Sequence, residues 1–166
     1  MAEDPDAFAV EPSPSGRFLC GGCAPHDACR LGVEIADARD DAVRFEVVCP
    51  PFWHGGPGVA HGGWIAAVFD DALNVVALRI EPRLVTKSLT VSYLRPVPVG
   101  RPVEVSARID RHAGRQWEVS AEMTLADTAL ATARAELRTR RPLHFAHHQA
   151  RLTRPSPSGN GPRTES

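Results

Sequence analysis

Residues 61–70 read His-Gly-Gly-Trp-Ile-Ala-Ala-Val-Phe-Asp. Gly62 and Gly63 leave the backbone bare, so a small reactive group can approach the main-chain N–H groups closely. The apolar residues that follow have helical character. The first turn of a helix presents N–H donors without internal acceptors, at the positive end of the helix dipole. Asp70 sits within the apolar stretch, where an idle carboxylate would be costly to bury. Helix-start donors can stabilise negative charge developing on a carbonyl oxygen. A carboxylate can attack the carbonyl carbon itself or activate a water that does. The chemistry indicated is attack on a carbonyl compound.

Spacing limits how these groups cooperate. Asp70 lies eight residues past Gly62, about 12 Å along a helix that rises ~1.5 Å per residue. Reacting groups must come within roughly 3 Å of each other. Either Asp70 does not act together with Gly62, or the carboxylate comes from a second subunit whose helix runs antiparallel. The second arrangement is favoured and puts two shared sites in a two-fold dimer. Asp71 points about 100° away around the helix, so the two acids need not share a site.

The rest of the chain must hold this helix in place. At 166 residues with 43% apolar content it is one domain's worth of sequence. A net charge of −1 and 6% aromatics argue against nucleic-acid binding. The acidic, polar N-terminus does not read as a secretory leader. The apolar run over 63–78, about 16 residues, is shorter than the ~20 needed to cross a bilayer. A cytoplasmic protein with no membrane partner is expected. Cys20, Cys23, His26 and Cys29 form a C-x2-C-x2-H-x2-C pattern. This could close a zinc site or hold a local disulfide, but structural zinc sites more often use two separated ligand pairs. Reduced cysteines in a loop and no metal are the favoured reading.

Residues 1–16 are expected to be a loose tail, 17–140 the folded domain, and 141–166 a flexible C-terminal tail containing His144, His147 and His148. Alternating patterns predict strands over 31–35 and 42–49, with a turn over 37–41. A flexible loop over 54–58 leads to a helix over 63–78 that is apolar on nearly every side and therefore enclosed. Strands follow over 84–94, 103–110, 117–126 and 128–138. In the first of these, alternation places Thr86 on one face and Tyr93 on the other. One buried helix wrapped by a curved antiparallel sheet defines an α+β fold.

Several of these pieces together resemble a known family. They are Pro57-Gly58-Val59-Ala60-His61-Gly62-Gly63, Phe69-Asp70-Asp71-Ala72, Val85-Thr86 through Tyr93-Leu94-Arg95-Pro96, and Gly114-Arg115. The combination resembles the hotdog-fold thioesterases of the 4-hydroxybenzoyl-CoA thioesterase superfamily, in its PaaI-like branch, over roughly 17–140. His-Gly-Gly alone is weak; with the acid nine residues after the His and a following L-x-V-x-Y-L-R-P strand it is fairly specific.

The resemblance implies a hotdog fold and hydrolysis of an acyl- or aryl-CoA thioester to free acid and CoA. The enzyme would be a homodimer or a dimer of dimers, with no cofactor beyond the coenzyme A of its substrate. It casts Asp70 as nucleophile or general base, the Gly62 N–H as the donor to the thioester oxygen, and Thr86 as a residue that places the attacking water. His54 stands where many relatives carry Asn, Gln or Glu, which leaves its helper role open. From the residues themselves, His61 is read as fixing the loop at the helix start and Gly63 as giving the substrate room, while Arg95 and Arg115 either meet the phosphates of CoA or are ordinary turn and rim arginines. Two alternatives stay open: a non-catalytic acyl-thioester-binding hotdog protein, and a hotdog hydratase or dehydratase using His54 or His61 with Asp70.

Overall fold

Seventeen residues, Gly62–Leu78, form helix α1. His61 caps it: its backbone is extended and its Nδ1 accepts a hydrogen bond from the Gly63 N–H at 2.9 Å. Trp64, Ile65, Val68, Phe69, Ala72, Leu73, Val76 and Ala77 recur at helical spacing and are all buried. Asp70, Asp71 and Asn74 lie beside them, half-buried. The helix is therefore not apolar all round: one side is core, and a narrow polar row runs along its flank.

The computed structural model describes residues 14, 19–20, 22–35, 37–39 and 41–153, with only the backbone of 37–39. Residues 8–140 form one compact unit. Its main sheet contains β1 (Asp37–Arg39), β2 (Ala42–Val48), β5 (Leu84–Tyr93), β6 (Pro102–Ala113), β7 (Gln116–Leu125) and β8 (Thr128–Thr139). The spatial order is β1-β2-β6-β7-β8-β5, and every pairing is antiparallel. A short ribbon joins β3 (His54–Gly56) to β4 (Val59–Ala60). This is the α+β arrangement expected, an antiparallel sheet around a central helix.

Alternation creates the sheet's inner face. Val43, Phe45 and Val47 of β2, Val103 and Val105 of β6, Val119 and Met123 of β7, and Leu137 of β8 are buried with the apolar face of α1. Each such side chain contributes roughly 1.5–3 kcal/mol when taken out of water. Ala121, Ala131, Ala133 and Ala135 line the same face, and their small size lets the sheet curve closely about the helix.

β5 departs from regular alternation. Thr86 faces Leu137 on β8 and Ser88 faces Glu136, so Lys87 is an extra residue in the ladder. Beyond this bulge Leu89, Val91 and Tyr93 pair with Ala135, Ala133 and Ala131, which lie on the inner face. Thr86 and Tyr93 thus both face α1, correcting the expectation that they point to opposite sides.

Three expectations near the edges also change. Residues 31–35 are not a strand. Val33 is buried, and Leu31 and Ile35 pack on the core, so the alternation there reports side-chain burial without strand pairing. The first strand instead falls at 37–39, within the expected turn, where Asp37–Arg39 folds back on β2. The expected loop over 54–58 contains β3. It is tied down by the Ala60 N–H to the Val97 carbonyl at 2.9 Å and the Val99 N–H to the Gly58 carbonyl at 3.0 Å. These bonds hold the approach to α1.

The expected flexible tail from 141 includes a helix, α2 (His144–Leu152). Ala146, Gln149, Ala150, Arg151 and Leu152 are good helix formers, and every residue of α2 is exposed. Residues 1–13, 15–18 and 154–166 lie outside the described residues, so the loose tail over 1–16 is described only at Pro14.

Candidate active site

The expected acid and the expected hydroxyl meet. Thr86 Oγ1 donates to Asp70 Oδ1 at 3.0 Å. Asn74, one turn after Asp70 on α1, joins them. Its Nδ2 lies 3.1 Å from Asp70 Oδ1, 2.9 Å from the Asp70 carbonyl and 2.9 Å from Thr86 Oγ1. Thr86 therefore accepts from Asn74 and donates to Asp70, as one hydroxyl can. Both side-chain contacts fall on Oδ1, and among the described residues Oδ2 has no hydrogen-bond partner. The carboxylate is held by one oxygen and offers the other.

At the opposite end of α1 the first-turn donors are divided. The Gly63 N–H goes to His61 Nδ1 at 2.9 Å. The Trp64 and Ile65 N–H groups both reach the His61 carbonyl, at 3.0 and 3.3 Å. Among the described residues no partner takes the Gly62 N–H. Tyr93, at the end of β5, donates its hydroxyl to the Gly62 carbonyl at 3.0 Å. A Cβ on Gly62 would stand 3.3 Å from the Tyr93 ring. Tyr93 thus fixes the peptide that follows Gly62 and crowds the glycine's missing side chain.

Asp71 faces elsewhere. Cys29 Sγ lies 4.0 Å from Asp71 Oδ2, on the segment ahead of β1. Burial, and secondarily the neighbouring Asp70 charge, pushes the Asp71 carboxyl up to about 6, with Arg30 opposing. Burial likewise raises the Cys29 thiol. Helical rotation separates the two adjacent acids into different surroundings.

The remaining candidates are placed less centrally. His54 is exposed on β3 opposite Ala60, and none of its side-chain contacts joins it to the Asp70 cluster. His61 caps the helix. Arg95 gives Nη1 to the Ala129 carbonyl at 2.8 Å, and Arg115 gives Nε to the Thr139 carbonyl at 3.0 Å. These bonds anchor both arginines to β8. Among the described residues no group of three or more His, Cys, Asp or Glu side chains is arranged to hold a metal. No helix among them is long and apolar enough to cross a membrane.

Asn74 and Tyr93 are contacts that sequence reasoning missed. Asn74 stands four residues after Asp70, the spacing at which helical side chains meet. Tyr93 had no comparable signal, because the bulge at Lys87 brings it to the helix.

A helix enclosed by a curved antiparallel sheet, with a glycine at its start and an acid along it, defines the hotdog architecture. Residues 57–132 match the family model described as Thioesterase superfamily. The chain is 30% identical over 80 residues to a Xenopus laevis protein named acyl-coenzyme A thioesterase THEM4, covering 48% of this chain and 36% of that one. The match therefore spans about a third of that relative's length. Among solved structures, the Escherichia coli PaaI protein from the phenylacetic acid degradation operon aligns with a TM-score of 0.62 at 18% identity, over 70% of this chain and 87% of its own. A hypothetical thioesterase protein from Streptococcus pneumoniae, solved with coenzyme A, aligns with a TM-score of 0.61 at 17% identity, over 64% of this chain and 84% of its own.

Proposed function

We propose that this chain hydrolyses acyl- or aryl-CoA thioesters to the free acid and CoA. The observation that carries the reading is the Asp70 carboxylate, held through Oδ1 by Thr86 and Asn74 with Oδ2 open. The superfamily match over 57–132 and the similarity to an acyl-CoA thioesterase support the substrate class. The free Gly62 N–H at the helix start supplies the donor that a developing oxyanion needs. Asp70 then acts as nucleophile or as general base toward water, with Thr86 placing the attacking group. CoA enters as part of the substrate, and no separate cofactor is required.

The two halves of this machinery stand about 12 Å apart on one helix, given ~1.5 Å per residue. We therefore place the working site between two copies of the chain, with Asp70 of one facing the partner subunit's Gly62 across a two-fold axis. In this arrangement a dimer carries two equivalent sites.

Free-CoA release from short, medium, long and aryl acyl-CoAs tests the activity, with Asp70→Asn as the inactive control. Turnover by wild type and none by the variant is the expected result. Thioester binding without CoA release would favour a binding protein, and appearance of an enoyl product would favour a hydratase or dehydratase. For the shared site, Gly62→Val and Asp70→Asn proteins are mixed and reassembled. Hybrid dimers recover part of the activity if each contributes the intact half of one site. No recovery after verified exchange would rule the shared arrangement out.

A further inference from the structure

The segment ahead of β1 carries a second set of reactive groups that the proposed hydrolysis does not use. Cys20 and Cys23 stand three residues apart in this segment. The Cys23 N–H donates to the Cys20 carbonyl at 2.9 Å, and the Ala24 N–H donates to the same oxygen at 2.9 Å. A turn closed this way holds its end Cα atoms within about 7 Å, and a disulfide bridges Cα atoms about 4.4–6.8 Å apart. The Arg30 guanidinium lies against this turn. Gly22 makes room for that guanidinium, since a Cβ there would come 2.8 Å from Arg30 Nη2. Cys20 is exposed and Cys23 is buried beneath it.

The four cysteines differ in character. Burial pushes the Cys29 and Cys49 thiols up. Burial also raises Cys23, but hydrogen bonds from the Arg30 backbone and the Cys20 side chain, with the Arg30 charge, outweigh it and hold this thiol below its ordinary value.

We propose that Cys20 and Cys23 are a reversible dithiol–disulfide pair, activated by Arg30 and oxidised by a hydroperoxide. The exposed Cys20 sulfur attacks the terminal peroxide oxygen. The O–O bond breaks, an alcohol or water leaves, and Cys20 becomes a sulfenic acid. The Cys23 thiolate then attacks the Cys20 sulfur, the S–O bond breaks, and hydroxide leaves to become water with the proton Cys23 gave up. In sum, two thiols lose two hydrogens and two electrons, and the peroxide gains them. A dithiol reductant reverses the step by exchange.

The test uses the full chain, reduced and then treated with hydrogen peroxide, quenched with N-ethylmaleimide and read by intact mass. Fragment mapping in Cys29→Ser locates the bridge. Wild type and Cys29→Ser should each lose two hydrogens, whereas Cys20→Ser and Cys23→Ser should form no bridge. Arg30→Gln should slow bridging several-fold at pH 7 but not at about pH 9.5, where a thiol ionises unaided. Catalysed CoA release is measured on the same variants: bridging that is lost while hydrolysis persists, or the reverse, separates this proposal from the thioesterase reading. A bridge that needs Cys29, an unchanged rate in Arg30→Gln, sulfinic acid with no bridge, or zinc held by these thiols in the purified protein would each overturn it.

Discussion

The Thr86 hydroxyl lies 3.0 Å from Asp70 Oδ1, joining strand β5 to a carboxylate 16 residues earlier on α1. A hydrogen bond to a charged group contributes about 1.5–3 kcal/mol. Thr86→Val should therefore lower kcat/KM by roughly ten- to a hundredfold if that contribution is expressed in the transition state. Thr86→Ser retains the hydroxyl and should stay close to wild type. Steady-state kinetics on one turned-over acyl-CoA decides it. Equal losses in both variants would remove Thr86 from the mechanism.

Asn74 serves Asp70 and Thr86 with one amide nitrogen, so these residues behave as a unit. Asn74→Ala should lower kcat. Combined with Thr86→Val, it should lower kcat by clearly less than the product of the two single effects. A multiplicative double variant would show that the amide acts independently.

Tyr93 holds the first turn of α1 through its hydroxyl. Tyr93 is 55% exposed, so water can replace the lost bond, and Tyr93→Phe should cost no more than about 1 kcal/mol in urea unfolding. Its effect on kcat should be larger than its effect on stability, because the Gly62 peptide loses its anchor. If hydrolysis by Tyr93→Phe is unaltered, the helix start is held well enough without it.

Asp71 gives a pH signature. Its carboxyl, raised from 3.8 to about 6 in the folded state, is stabilising as the protonated form. That contribution is present below the unfolded value and is lost as pH rises through about 6. The displacement corresponds to an upper limit of about 3 kcal/mol. Asp71→Asn mimics the neutral acid, so its stability advantage over wild type should appear at pH 7.5 and shrink toward pH 4. Parallel unfolding curves at both pH values test this. Asp70→Asn removes the neighbouring charge and should lower the Asp71 midpoint in a carboxyl NMR titration, though burial keeps it raised.

The β7–β8 hairpin turns on Ala126 and Asp127, both with positive φ, at +47° and +63°. Two-residue turns of this hand prefer Asn-Gly, and a left-handed conformation costs an L-residue such as alanine roughly 1–2 kcal/mol. Ala126→Asn with Asp127→Gly should raise the thermal midpoint by several degrees without altering hydrolysis, which calorimetry would show.

Much of this molecule could be read from the chain before its structure. The alternation over 103–138 is clear because one face of each strand is buried against α1. The glycine pair and Asp70 announce themselves by residue type and spacing, whereas Thr86 stands out only through the family resemblance. Three features did not. Leu31, Val33 and Ile35 alternate like a strand because they pack inward, yet their backbone has no strand neighbour. Asn74 looks like ordinary helix surface until Thr86 is brought across from β5. Period-two reading puts Tyr93 on the wrong face, since it assumes an unbroken ladder and nothing in the local composition marks Lys87 as surplus.

That surplus residue sets the phase of β5. Upstream of Lys87 the even-numbered positions look at the helix, and downstream the odd-numbered ones do. Excising Lys87 would restore a regular ladder and turn either Thr86 or Tyr93 toward the outside, separating the acid's support from the helix-start anchor. The length of this strand, counted residue by residue, thus matters to the proposed site as much as any side chain on it.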